Sequence, residues 1–316
     1  MNRFRNILAV YNGCFGSETV LEQAVSLARN NGARLTLVNT QEGFHSADAY
    51  REARKRLSRI EPWVIREGVR DVATTVLIGS PHLEIIRQVM HHEHDLVMLC
   101  PGSSRRLTDV IFGDLARRLM RQCPCPVWIL KPKRATSCTR VLAAVGARTN
   151  DGGDQAVNTK ILELALSLAR SQDAKFHILR AWRPEGNDAE MLTNEISDKT
   201  REGILQRNEA RHRGDINAIL ARYPVVDLDH EVHLPYGQPI QNILALTERL
   251  NPDVLVMGTA NRVGVQRVLM GNSAESVFGT IRCGLLIVKP DSPLPQVPLP
   301  LVGRAGGVAT PVASRH

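Results

Sequence analysis

An internal repeat constrains the fold of this 316-residue chain more than any other feature of its sequence. Short segments of the first half return in the second half, first 141 residues later (24 to 165) and then 158 residues later (95 to 253). The echoed pairs are residues 24–29 (AVSLAR) and 165–170 (ALSLAR), 95–98 (DLVM) and 253–256 (DVLV), and 127–132 (VWILKP) and 285–290 (LLIVKP). Because the echoes keep their order, we interpret them as a tandem duplication with an insertion between residues 180 and 236.

The boundary between the two copies falls in residues 131–137 (KPKRATS), a basic and polar stretch without apolar periodicity. We therefore predict domain 1 over residues 1–132 and domain 2 over residues 139–290. Residues 291–316 are rich in Pro and Gly, which predicts a disordered tail. A polyproline II segment that binds a partner is the alternative interpretation of this tail.

Each half alternates short apolar strands with helices. In the first half we predict strands at residues 6–11, 35–39, 74–78, 96–99 and 127–131, and helices at 18–30, 48–67, 83–91 and 115–122. Pro62 lies inside the second predicted helix and should kink it or split it. Apolar strands separated by helices indicate a parallel sheet covered on both faces. With right-handed crossovers, this predicts two doubly wound, Rossmann-like α/β domains, each with a five-stranded parallel sheet.

Composition excludes several classes of protein. Apolar residues are 43% and charged residues 23% of the chain, which excludes global disorder. Since no apolar run approaches the ~20 residues of a membrane span, and no signal peptide is recognisable, we expect a cytoplasmic protein without a membrane partner. The six cysteines form no CxxC pair, so we interpret them as reduced thiols that mostly fill the core.

Sheets of this type bind ligands at the carboxyl ends of their strands, which directs attention to the loop after the fourth strand of domain 2. Gly258 and Gly271 let the backbone turn without a Cβ atom in the way of a ligand. Asn272 and Ser273 open the next helix, where free N–H groups and the helix dipole favour an anion. The alternative interpretation is an ordinary capping box between Asn272 and Glu275.

The repeat, the order of strands and helices and this loop resemble the universal stress proteins in their tandem two-domain form. Members that bind ATP carry Gly, two residues, Gly, nine residues, Gly, and then Ser or Thr, with or without an intervening Asn. The same spacing here gives Gly258, Asn261, Gly271, Asn272 and Ser273, with Asn261 in place of the middle Gly. The resemblance implies a fold similar to the adenine nucleotide alpha hydrolases, and ATP or AMP, with or without Mg²⁺, as the ligand of domain 2.

The residue after the first strand departs from the family. Nucleotide-binding members have an Asp there that contacts the adenine side of the ligand, whereas this chain has Asn12 in the first half and Gly146 in the second. Adenine recognition in domain 2 would then depend on backbone groups around Val145, Gly146 and Ala147 and on the end of the second strand at residues 179–180.

The corresponding loop of domain 1 departs further from the family. Cys100, Ser103 and Asp114 stand at the positions of Gly258, Asn261 and Asn272. A carboxylate at position 114 would repel a phosphate at the helix N-terminus, so we expect domain 1 not to bind a triphosphate.

The resemblance implies a stress-response regulator whose nucleotide state changes which protein partners dock, with the partners unidentified. It also implies an internal pseudo-dimer formed through the last strand of each half, while a homodimer of whole chains stays open. The first alternative is a ligand-free scaffold that kept the fold and lost the site, which Asn261 and Gly146 favour. The second is a nucleic-acid-binding protein, suggested by the net charge of +8 and the basic run 51–56, although no reader motif is present.

No catalytic residue can be named, so we expect no enzymatic activity beyond the weak ATPase activity of some family members. We also predict no metal site. Residues 91–94 (HHEH) are the strongest candidate, but adjacent residues of a helix diverge by about 100° and cannot easily share an ion.

Overall fold

In the computed structural model, the described residues are 3–42, 47–101, 114–132, 138–146, 152–184, 186–223, 228–259, 277 and 279–290. Ala147, Asn261, Gly271, Asn272 and Ser273, Ser103 of domain 1 and the predicted tail 291–316 lie outside them. Within the described part of the chain, no helix is both long enough and apolar enough to cross a membrane.

Strands and helices alternate in each half. The strands are β1 (Asn6–Val10), β2 (Arg34–Gln41), β3 (Val72–Ile78), β4 (Leu96–Leu99), β5 (Val127–Ile129), β6 (Arg140–Ala144), β7 (Lys175–Leu179), β8 (His230–His233), β9 (Val254–Gly258) and β10 (Gly284–Val288). The helices are α1 (Ser17–Asn31), α2 (Ala47–Arg66), α3 (Pro81–His92), α4 (Asp114–Gln122), α5 (Gly152–Ser171), α6 (Asn187–Thr193), α7 (Asp198–Leu220) and α8 (Pro239–Leu250). The insertion expected between residues 180 and 236 contains α6, which precedes the long α7.

The ten strands of the described residues form one continuous sheet, in the order β3-β2-β1-β4-β5-β10-β9-β6-β7-β8. Strands pair in parallel within each half, and β5 pairs antiparallel with β10, with Trp128 opposite Leu286. The predicted fold class, two doubly wound five-stranded parallel sheets, is confirmed. The two last strands join the halves side by side, which is the pairing that the resemblance implied.

The repeated Asp at the start of the fourth strand of each half anchors the first strand. Asp95 Oδ2 accepts the N–H groups of Arg5 and Asn6 at 2.6 and 3.0 Å. Asp253 Oδ2 accepts the N–H groups of the two equivalent residues at 2.7 and 3.0 Å. These bonds fix the register of the central strands, which gives the repeated Asp a structural role in both halves.

The repeated Lys-Pro pair closes the contact between the halves. Lys289 is buried, and its Nζ donates to the carbonyl oxygens of Cys123 at 2.6 Å and Leu119 at 3.4 Å, at the C-terminal end of α4. Lys131 Nζ donates in the same way to the carbonyl of Ile281, at the equivalent point of the second half. Each domain therefore supplies a cation to helix-terminal carbonyls of the other.

Helix α2 runs unbroken from Ala47 to Arg66, so of the two outcomes expected at Pro62, splitting of the helix is ruled out. A proline removes the bond to the carbonyl four residues earlier, here that of Ser58. Both Ser58 and Pro62 are exposed, so the missing bond falls on the solvent side of the helix, where water can replace it. The opposite face, with buried Leu57 and Val64, keeps the helix on the sheet.

Each face of the sheet carries a buried apolar cluster that continues across both halves. One lies under α1, α2, α5 and α7 and the other under α3, α4 and α8. The carboxyl ends of the strands lie at the border of these two apolar clusters. Ligands bind at such strand ends in folds of this type.

Candidate functional site

The carboxyl edge of the domain 2 sheet brings together three of the predicted site residues. Ala144 of β6 lies opposite Met257 of β9, so Val145 and Gly146 follow beside Gly258. The other four predicted residues, Asn261, Gly271, Asn272 and Ser273, fall on the loop outside the described residues. The structure therefore describes the part of this edge that the resemblance assigns to adenine, and not the part assigned to the phosphates.

Gly258 ends β9 under helix α5. A Cβ atom at this position would lie 2.7 Å from Val157 Cγ1 and 3.2 Å from Ile161 Cδ1, closer than side chains pack. Since the backbone of Gly258 does not have a positive φ, the close helix and not a special conformation requires glycine here. This packing requirement exists beside any role of Gly258 in a phosphate loop.

The backbone of Gly146 is held by a side chain of α5. Its N–H donates to Asn158 Oδ1 at 2.8 Å, and its carbonyl accepts Asn158 Nδ2 at 3.2 Å. The N–H of Val145 donates to the carbonyl of Leu179 at 2.9 Å. The N–H groups of Val145 and Gly146 and the carbonyl of Gly146, all expected to contact adenine, are thus engaged within the protein. Sequence reasoning missed Asn158, whose signal is a polar residue on an otherwise apolar helix face between Val157 and Ile161.

Arg180, just after β7, is 2% exposed and lies against helix α7. Its side-chain Nη1 is 3.5 Å from Asp215 Oδ2, and its backbone N–H donates to the carbonyl of His233 at 3.0 Å. Next to this ion pair, Trp182 donates from Nε1 to the carbonyl of Leu234 at 2.9 Å. The end of the second strand in domain 2 is therefore filled by a buried charge pair and an indole ring.

Thr259 follows Gly258 and is 2% exposed. Its N–H donates to the carbonyl of Val288 at 3.0 Å, but within the described part of the chain its Oγ1 has no hydrogen-bond partner. Thr259 therefore places a buried hydroxyl at the start of the predicted phosphate loop.

The equivalent edge of domain 1 is closed by its own polar groups. Asn12 Nδ2 donates to Thr40 Oγ1 at 3.0 Å, and Asn12 Oδ1 accepts the N–H of Thr40 at 2.9 Å. Arg56 Nη1 donates to the carbonyl of Asn12 at 2.8 Å, and its guanidinium covers Gly13, where a Cβ would lie 2.1 Å from Nη1. The crevice after β1 is filled by these side chains.

Two further groups of domain 1 stand where the family carries ligand contacts. Burial raises the pKa of Cys100 to about 12, so this thiol stays protonated and is a poor nucleophile. Asp114 is the first residue of α4, and its Oδ2 accepts Arg118 Nε at 2.6 Å. The carboxylate lies at the helix N-terminus, where the sequence placed it, and it remains next to any phosphate in that position.

A second cluster lies away from this edge and escaped the sequence reasoning. His177 of β7 and Glu231 and His233 of β8 place ligating atoms within 4.8 Å of one another. The signal was present as an alternating Glu-x-His on one strand, facing a histidine on its neighbour. By contrast, the HHEH segment is divided: His91 and His92 are exposed and His94 is buried.

Comparison with known proteins gives a consistent result for the whole chain. A model of the universal stress protein family matches residues 3–131 and again residues 140–289. Universal stress protein E of Photorhabdus laumondii is 23% identical over 309 residues, covering 92% of this chain and 96% of that protein. Universal stress protein E of Salmonella typhi is 29% identical over 231 residues, covering 72% and 71%.

Solved structures agree with the fold. A functionally unknown protein from Pseudomonas aeruginosa PAO1 is similar with a TM-score of 0.72 and 25% identity, covering 91% of this chain and 93% of that one. A universal stress protein from Archaeoglobus fulgidus gives a TM-score of 0.59 at 18% identity, covering 90% and 98%, which shows the fold alone.

Proposed function

Because the chain belongs to the universal stress protein family, we propose that it is a regulatory protein of the stress response whose domain 2 binds ATP or a related adenine nucleotide. The observation that carries this proposal is the position of the glycine-rich loop. It starts at Gly258, directly at the carboxyl end of β9 and beside the end of β6, which is the ligand-binding edge of this class of sheet. The buried hydroxyl of Thr259 adds a polar group at the same point.

The phosphates would be held by the loop, through Gly258, Asn261 and the helix entry at Gly271, Asn272 and Ser273, with Mg²⁺ as companion of a triphosphate. The base would gain little, because the N–H groups of Val145 and Gly146 already have partners. Selectivity between bases comes from site groups that lose a partner when the wrong base binds. We therefore expect ATP and GTP to bind domain 2 with affinities within about tenfold of each other.

Domain 1 would serve as the structural and partner-binding half. Arg56 and the Asn12–Thr40 bonds fill its crevice, and Asp114 sets a negative charge at its helix N-terminus. We assign no catalytic residue in either domain, and we expect at most slow ATP hydrolysis.

A ligand-free scaffold is the second candidate function, and one observation favours it specifically. Asn158 satisfies both the N–H and the carbonyl of Gly146, so the edge of domain 2 is complete without a ligand on its adenine side. In that case the chain would act through its surfaces alone.

Two measurements on the purified full chain separate the candidates. Denaturation followed by chromatography identifies any nucleotide that copurifies, and calorimetric titration with ATP and GTP in Mg²⁺ measures binding. The variant Gly271→Asp places a carboxylate beside the expected phosphates and should weaken ATP binding by roughly tenfold or more. Gly113→Asp, at the equivalent position of domain 1, is the matched control and should leave the affinity unchanged.

Absence of copurified nucleotide together with no binding at millimolar ATP would establish the scaffold instead. Equal ATP affinity in Gly271→Asp and in the parent would show that the loop is not the phosphate site.

A further inference from the structure

We propose that domain 2 carries a binding site for a divalent transition-metal ion of the zinc class, formed by His177, Glu231 and His233. The site lies between β7 and β8 on the α8 face of the sheet, away from the glycine-rich loop, and it does not depend on nucleotide binding. Imidazole nitrogens and a carboxylate are the ligand set of many zinc sites.

The distances between the ligating atoms suit one ion. His177 Nδ1 is 3.1 Å from His233 Nε2, a hydrogen-bonded contact that an ion would replace, and 3.6 Å from Glu231 Oε2; with one ligating atom taken from each residue, all three lie within 4.8 Å of one another. Zn–N and Zn–O bonds are about 2.0–2.2 Å long, which puts neighbouring ligands of a tetrahedral ion about 3.3 Å apart. Small side-chain movements would therefore bring all three groups onto one ion.

The strands hold these side chains on one face. In the parallel register His177 lies opposite Glu231, and Leu179 lies opposite His233. His177 and Glu231 are therefore cross-strand neighbours, and His233 follows two residues after Glu231 on the same face of the sheet. His177 is 2% exposed and its ring stacks on that of His233 with centroids 5.3 Å apart. Two of the three ligands are thus fixed by the sheet before any ion arrives.

Both rings are largely buried, which disfavours their charged form. Burial lowers the pKa of His177 and of His233, and the proximity of the two rings lowers that of His177 further. Neutral imidazole is the form that ligates a metal ion.

A cavity beside His233 would leave room for a fourth ligand. His233 lines a cavity of about 300 Å³ together with Leu234, Asn242, Leu246 and Arg249. Glu231, with a side chain 53% exposed, gives the ion an entrance from solvent. Because Arg249 and Lys175 add positive charge near the rings, we expect water, hydroxide or a small anion as the fourth ligand.

The fold itself does not require these three residues. In domain 1 the same register positions of β2 and β3 hold Thr36, Ala73 and Thr75, none of which is a zinc ligand. A histidine pair needed only for packing would be expected to have an aromatic or apolar counterpart there.

Titration of the untagged, metal-free full chain with Co²⁺ and then Zn²⁺ tests the site. Tetrahedral Co²⁺ bound by nitrogen and oxygen gives visible d–d absorption, and absence of thiolate charge-transfer bands excludes the cysteines as ligands. We expect about one equivalent to bind and Zn²⁺ to displace Co²⁺. Glu231→Gln and His233→Ala, which alter the sheet edge only, should each weaken binding by at least about tenfold.

His230→Ala is the matched control, since His230 lies on the same strand, is exposed and contacts the carbonyl of Leu228 instead. Circular dichroism verifies that each variant folds. The proposal is overturned if the parent binds no stoichiometric Co²⁺ or Zn²⁺, if His233→Ala and Glu231→Gln bind as the parent does, or if His230→Ala loses binding equally.

Discussion

The two domains solve one packing problem with the glycine on opposite sides. Where the first helix crosses the fourth strand, domain 1 has Gly16 directly before the helix and Cys100 directly after the strand. Domain 2 has Val157 on the helix and Gly258 on the strand, at positions equivalent by the 141- and 158-residue offsets. A Cβ on Gly16 would lie 2.3 Å from Cys100 Sγ, and one on Gly258 would lie 2.7 Å from Val157 Cγ1. Both domains therefore keep a glycine at the contact between helix and strand, but the glycine stands at a different position in each.

The ends of the first strands differ in the same manner. Domain 1 closes its crevice from β2 and α2, with Asn12 bonded to Thr40 and Arg56 lying over the loop. Domain 2 closes its edge from the helix, with Asn158 bonded to Gly146. Asn12 and Gly146 both stand where nucleotide-binding members carry Asp. Each takes part in a different hydrogen-bond network, so the two replacements are not equivalent. Three sets of substitutions would break or sharpen this comparison.

The largest effect is expected at the exchanged glycines. Gly16→Ala should lower the free energy of unfolding by about 2–4 kcal/mol, because it adds a clash with Cys100 to the cost of an alanine at φ 86°. Gly258→Ala should cost about 1–3 kcal/mol from the clash with Val157 alone. Urea unfolding at pH 7 measures both.

Compensating variants distinguish the two causes. Val157→Ala should restore most of the stability lost in Gly258→Ala, whereas Cys100→Ala should restore only the steric part of the loss in Gly16→Ala. Gly32→Ala is the control for the backbone term, since it has φ 61° and no atom within 4 Å of its Cβ. Independent losses in the paired variants would contradict the exchange of space between helix and strand.

A smaller effect is expected from pH at His94, which domain 2 replaces with Pro252. Burial lowers the pKa of His94 from its ordinary value of 6.5 to about 4. Between these values the unfolded state binds more protons, so the folded state loses stability as the pH falls from 6.5 towards 4, by about 2 kcal/mol once solvent screening is allowed for. We expect the parent protein to lose more unfolding free energy than His94→Leu when the pH is lowered from 7 to 4, and the difference between the two losses should equal this amount. An equal loss in both proteins would show that His94 does not contribute.

The smallest effect is expected where α3 and α8 end. Glu93 has φ 53° and its counterpart Asn251 has φ 44°, both left-handed. Asn tolerates this conformation better than Glu, so Glu93→Asn should stabilise the protein by about 0.5 kcal/mol. Asn251→Glu should destabilise it by a similar amount, measured by the same unfolding experiment. Shifts of the same sign in both variants would contradict this interpretation.

Much of the fold could be predicted from the sequence because the signals are local and occur twice. The periodicity of the helices, the apolar strands and the order of the echoes were enough for two doubly wound sheets. The repeated Asp and Lys-Pro residues were visible as echoes, but their partners lie on other strands and in the other domain. Asp95 and Lys289 acquire a role only when the sheet is assembled.

The candidate sites were less predictable for the same physical reason. His177 and Glu231 are far apart in the sequence and separated by α6 and α7, so no local ligand spacing reveals them. The unbroken α2 depends on which side of the helix Pro62 faces, which short-range rules do not give. Gly258 fitted a phosphate motif by spacing, whereas its contact with Val157 depends on how closely α5 lies to β9.

The pairing of β5 with β10, closed by reciprocal lysines, has a consequence for how the two halves evolve. Since both halves are on one chain, their effective concentration is set by the chain connection and not by the amount of protein, so the pairing persists on dilution. In a dimer of identical subunits every substitution occurs on both sides of the interface. In this chain a substitution changes only one half. One half can therefore replace its ligand-binding residues while the other half keeps its side of the β5–β10 interface.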